Sequence, residues 1–137
     1  MKRLLLALVL PLAVAGCGEE QDTSLDRFQG DQRAVAQKIE DLQEAGEARK
    51  PEDICSNILS RTVVDQLEAA NTECAAEMKK AIEDVDDYDL ETRKVTVQGD
   101  QATAEVQQGG DEGETTTMQF VREGDQWRAV SLNDASG

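Results

Sequence analysis

The chain has 137 residues, with 29 Asp and Glu against 14 Lys and Arg, no histidine and three cysteines. A formal charge of −15 repels nucleic-acid phosphates, whose binding depends on Lys and Arg displacing counterions, so nucleic acid is excluded as a partner. Without histidine, Ser-His-Asp and Cys-His nucleophilic arrangements and every His-containing metal site are excluded too.

Met1-Lys2-Arg3 is a short basic start, and residues 4–14 form an apolar run interrupted only by Pro11. A bilayer-spanning helix needs about 20 apolar residues, so the run reads as a secretory signal over residues 1–16. Val14-Ala15-Gly16-Cys17 follows and resembles the lipobox of bacterial lipoproteins. The resemblance implies that the Cys17 thiol receives a diacylglycerol, that the peptide is cut before Cys17, and that the new amino group is acylated as well. One acyl chain binds a membrane only marginally at about 0.8 kcal/mol per buried methylene, whereas two or more hold firmly. The membrane is therefore the first expected partner, through a lipid anchor on the extracytoplasmic side. Loss of Lys2 and Arg3 with the leader takes the formal charge from −15 to about −17. Such a body is pushed away from an anionic lipid surface.

Residues 17–29 read as a flexible tether, polar and without hydrophobic period over Gly18 to about Leu25. Residues 30–137 suit one domain. Its two cysteines, Cys55 and Cys74, are an even pair in an exported protein and do not form a Cys-x-x-Cys motif. They read as a structural disulfide.

Val35, Ile39 and Leu42 predict a helix over residues 31–45, with Asp31 as its cap, Gly46 as its stop and Phe28 stapling its entry. Pro51 opens a second helix that turns Ile54, Ile58 and Leu59 inward, with Cys55 at the edge. Ser60 or Thr62 caps a third, with Val63, Val64 and Leu67 inward. Thr72 caps a fourth, carrying Cys74, Met78, Ala81, Ile82 and Val85 at helical spacing.

The period then changes to two. Residues 93–98, 101–106, 115–122 and 126–132 alternate and are joined by Gly99-Asp100, a Gly109–Gly113 loop and Gly124-Asp125. Ala102, Ala104 and Val106 share a face, as do Met118 and Phe120. On the last strand Trp127 and Ala129 oppose Arg128, Val130 and Leu132. The fold class is α+β, with N-terminal helices packed on a curved antiparallel sheet of about four strands.

This order, with "KVTVQGDQATAEV" and then "TMQFVREGDQWRAVSL", resembles the nuclear-transport-factor-2-like superfamily, which includes SnoaL-like domains. The resemblance implies a sheet curled around a long first helix into a cone. It implies either an isomerase, dehydratase or cyclase acting on a small hydrophobic substrate, or a noncatalytic binding domain. The enzymes place Asp, His or Tyr inside the cone. Here histidine is absent, Tyr88 lies in an acidic connector, and no Asp stands on an apolar strand face. The expectation is a noncatalytic binding or interaction domain with no cofactor and no metal. Its partner is an unknown protein, a small apolar ligand or a second copy, and the enzyme is the alternative. Residues 83–91 are dense in carboxylates but lack EF-hand spacing and its glycine, so they read as a solvated connector, and Asp111, Glu112 and Glu114 among their glycines read as a mobile hairpin loop. Trp127 and Arg128 are the candidate interaction residues. An outward Trp127 would anchor a partner; an inward one would plug an aromatic-poor core, and the scarcity of other large groups favours that side.

Overall fold

The structure, a computed structural model, describes residues 24–131. The leader, Cys17, the start of the tether and residues 132–137 lie outside the described residues.

The fold begins before residue 30. Ser24–Arg27 form a 3-10 turn, and Leu25 and Phe28 are buried in the core. The segment expected to end the tether is therefore packed, because two apolar side chains reach the space beside the first helix.

Helix α1 (Gly30–Glu47) buries Val35, Ala36 and Ile39 at helical spacing. Two of its expected punctuation marks act otherwise. Asp31 does not cap it; the N-cap position is Gln29, without a side-chain bond. Gly46 does not stop it. The helix runs past and closes at Arg49 (φ 54°), where Lys50 N–H donates to Ala45 O at 2.9 Å and Arg49 N–H to Gly46 O at 3.1 Å. Gly46 is buried under the Tyr88 ring, and a Cβ there would stand 2.6 Å from two ring carbons. Its lack of a side chain serves a close approach, not a chain reversal.

Helix α2 (Pro51–Asp53) begins at a proline, as expected, and widens into a π-turn over Ile54–Ile58. Ile54, Ile58 and Leu59 are all buried. Helix α3 (Arg61–Ala69) is capped by Ser60, whose Oγ accepts from Val63 N–H at 3.3 Å. None of its residues is buried; Val63, Val64 and Leu67 are only half-covered. Helix α4 (Cys74–Glu83) starts after Glu73 rather than at a Thr72 cap, and it buries Cys74 and Ile82 but leaves Ala81 exposed. No described helix is long and apolar enough to cross a membrane.

Strands β1 (Leu90–Gln98), β2 (Gln101–Gln108), β3 (Glu114–Glu123) and β4 (Gln126–Ser131) form an antiparallel meander in chain order. Gly99 and Gly124, each at φ 61°, supply the left-handed position in the two tight turns. On the inner face small residues oppose large ones: Ala104 faces Met118, while Ala102 and Ala129 both face Phe120. Register shifts at Thr92/Lys94 and Gln119/Phe120 mark bulges, which bend strands and give the sheet its curvature. The core lies between this face and α1.

Both sheet edges are partly occupied. Along β1, Arg27 donates to Thr92 O at 3.0 Å, Gln32 to Val95 O at 3.2 Å, and Leu90 N–H to Gln43 Oε1 at 3.0 Å. Along β4, Ser60 N–H donates to Ala129 O at 2.8 Å beside a parallel bridge from Leu59 to Ala129. Unpaired strand edges invite pairing with other chains, and these contacts obstruct it at Leu90, Thr92, Val95 and Ala129.

Candidate functional site

The space under the sheet, where a cone would hold a ligand, is occupied by the protein itself. Phe120, Ile39, Val35 and Val106 are among its largest fully buried side chains, and Met118 and Trp127 pack with them. Among the described residues the buried polar side chains are Ser60 and Thr92, so no buried carboxylate is present to act as acid or base. Ser60 is engaged at the α3 cap; Thr92 Oγ1 has no hydrogen-bond partner.

Trp127 faces inward and is 3% exposed. Its indole N–H reaches Asp31 Oδ1 at 3.5 Å. The Arg122 guanidinium lies over the ring, 4.8 Å from its centroid, and pairs with Asp31 Oδ2 at 2.6 Å. Asp31 thus closes one end of the core by holding both the indole and the cation stacked on it. Trp127 is a core plug and is not available as a surface anchor. The reason is parity: Arg122 pairs with Trp127 and Phe120 with Ala129, which puts the indole on the Phe120 face.

Arg128, on the opposite face of β4, is half-buried, and its Nη1 donates to Ser56 O at 2.7 Å. That bond ties β4 to the 54–58 turn, so Arg128 serves the fold rather than a free anion. Beside it, Cys55 and Cys74 are disulfide-bonded with Cα atoms 6.1 Å apart. Cys55 lines an open groove with Leu59, Arg61, Val64, Glu123 and Arg128. Cys17 lies outside the described residues.

The acidic connector is built by local hydrogen bonds. Asp87 Oδ1 accepts from Asp89 N–H at 2.9 Å, Gln108 donates to Asp87 O at 3.0 Å, and the Tyr88 hydroxyl donates to Ile82 O. In the glycine loop, Gln107 Nε2 donates to Asp111 O at 2.9 Å. Among the described residues no group of three metal-ligating side chains converges.

Two surfaces lie beyond the named candidate residues. One is an open groove of about 670 Å³ between α1 and the start of β1, lined by Glu40, Asp41, Glu44, Glu47, Asp89 and Glu91, with Arg27 as its cation. The α1 acids were visible as one helix face, but only folding brings Asp89 and Glu91 beside them. The other is the outer face of the sheet, which no helix covers. Its rows read Glu91–Gln107–Thr115, Lys94–Glu105–Thr117, Thr96–Thr103–Gln119, Gln98–Gln101–Val121–Arg128 and Glu123–Gln126. Glu91, Glu105 and Glu123 are the acids in those rows, and the two central rows, Thr96–Thr103–Gln119 and Gln98–Gln101–Val121–Arg128, carry none.

Comparison with known protein families, with curated proteins and with solved structures finds no match.

Proposed function

We propose that this is a lipid-anchored extracytoplasmic protein whose single domain, of nuclear-transport-factor-2-like architecture, acts by binding rather than by catalysis. The order of helices followed by a four-stranded meander supports the architecture, and the Val14–Cys17 motif supports the anchor. The observation that carries binding over turnover is the contrast between the two faces of the sheet. The inner face is filled by side chains, which leaves a small apolar ligand or substrate without a chamber. The outer face is open, its two central rows are free of acids, and it is rich in threonine and glutamine, which make hydrogen bonds without a charge to desolvate. With the edges partly covered, this face is the route by which the sheet engages an envelope protein or a second copy.

A photo-reactive residue at Thr103, on that face, compared with one at Glu44, on the helical side, tests the reading in membranes carrying the full-length protein. Adducts from Thr103 and not from Glu44 are expected, and their mass separates a heterologous partner from a self-dimer. Adducts from Glu44 alone, or from neither site, would contradict binding through the sheet.

A further inference from the structure

Helices α3 and α4 form an arm with little buried surface, joined to the body by Arg61 N–H, which donates to the Glu123 carboxylate at 3.0 and 3.1 Å, and by the Tyr88 hydroxyl, which donates to Ile82 O. No residue of α3 is buried, and Ile82 is the only buried residue of α4 apart from Cys74 itself. The packing partners of α4 are α2, the 54–58 turn and α3. The body made by α1 and the sheet is of another kind: Val35, Ala36, Ile39, Ala104 and Ala129 are wholly enclosed, and Phe120 nearly so. A segment whose few apolar contacts must offset the ordering entropy of two helices sits at the low end of local stability.

The covalent bond falls where these two parts meet. Cys74 opens α4, and Cys55 belongs to the 54–58 turn. That turn is fixed to the body at three points: Arg128 donates to Ser56 O, Lys38 Nζ donates to Asn57 O at 3.0 Å, and Ser60 N–H, just beyond it, donates to Ala129 O. The disulfide therefore ties a light arm to a firmly held point. Cys55 also forms part of the wall of an open groove, so a thiol can approach it, while Cys74 is buried.

We propose that the Cys55–Cys74 disulfide is a redox latch: oxidised, it clamps the α3–α4 arm, and reduced by an extracytoplasmic dithiol protein, it frees the arm while α1 and the sheet stay folded. One thiolate of the dithiol attacks Cys55 Sγ from the groove. The S–S bond breaks, and Cys74 leaves as a thiolate that takes a proton from water. The second thiolate of the dithiol then attacks its own sulfur in the mixed disulfide and releases the Cys55 thiolate, which is protonated in turn. Two electrons and two protons have reached the cysteine pair, and the dithiol has become a disulfide. Release of the arm uncovers Ile54 and Ile82, both buried in the closed form. The latch does not depend on what the outer sheet face binds.

Hydrogen exchange read by mass spectrometry on the full-length protein in detergent tests it, in the oxidised form, after millimolar dithiothreitol, and in the Cys55→Ser/Cys74→Ser double variant. Exchange in residues 61–83 should rise about tenfold or more in both the reduced protein and the variant, with α1 and the four strands unchanged. Unchanged protection over 61–83 would overturn the latch. So would equal loss of protection in α1 and the sheet, since the bond would then be a staple of the whole fold. A bond that resists the reductant in the native protein would overturn it as well.

Discussion

Asp31 and Arg122 meet across the fold in a 2.6 Å ion pair, the first turn of α1 against the end of β3, with the Trp127 ring beneath the guanidinium. The pair is partly exposed, so its direct electrostatic contribution is small. Its larger effect is to hold the lid of the Trp127 pocket. Asp31→Ala is expected to lower stability by about 1 kcal/mol, because the indole N–H loses its acceptor and Arg122 its partner. A double-mutant cycle with Arg122→Ala checks this in denaturant melts: the two losses should be less than additive.

Trp127→Ala removes the plug itself. A buried Trp truncated to Ala costs about 3–5 kcal/mol. The melting temperature should fall accordingly, whereas a near-neutral change would mean that the indole does not fill the core.

Gly46→Ala is expected to destabilise even though Ala favours a helix interior over Gly by about 1 kcal/mol. The added Cβ would stand 2.6 Å from the Tyr88 ring, which cannot withdraw without releasing the hydroxyl bond to Ile82 O. Overpacking of this kind costs about 1–3 kcal/mol. Tyr88→Ala in the same chain should convert the Gly46→Ala change from destabilising to neutral or stabilising, which chemical denaturation measures directly.

Ser60→Ala is expected to cost about 1 kcal/mol through loss of the α3 cap. Its signature is local: amide exchange should quicken in residues 61–64 before it does in α1.

The sheet was legible in the sequence because alternation reports directly on which face is buried. Ala102, Ala104 and Val106, and Met118 with Phe120, all face the core as their parity requires. The disulfide was legible from cysteine parity. What the sequence concealed depends on partners far along the chain. Asp31 looked like a cap because caps are local, yet its oxygens serve Arg122 and Trp127 from the other end of the domain. Gly46 looked like a stop, yet Tyr88 requires the missing Cβ. Leu25 read as tether because a single apolar residue carries no period, and only packing reveals that it joins Phe28, read as a staple of the helix entry, in the core. The α3 stripe of Val63, Val64 and Leu67 was amphipathic as read, but the fold brings too little surface against it to bury any of the three.

The proposal that the domain works from a membrane rests on Cys17, and the most direct measurement is membrane fractionation with intact mass of the wild-type protein and of Cys17→Ser. The wild type should stay in the pellet through a high-salt wash, cleaved before Cys17 and heavier by its acyl groups. The Ser variant should carry no lipid and leave with the wash. A Ser variant that remains in the washed membranes, or a wild type of unmodified mass, would contradict the lipid anchor.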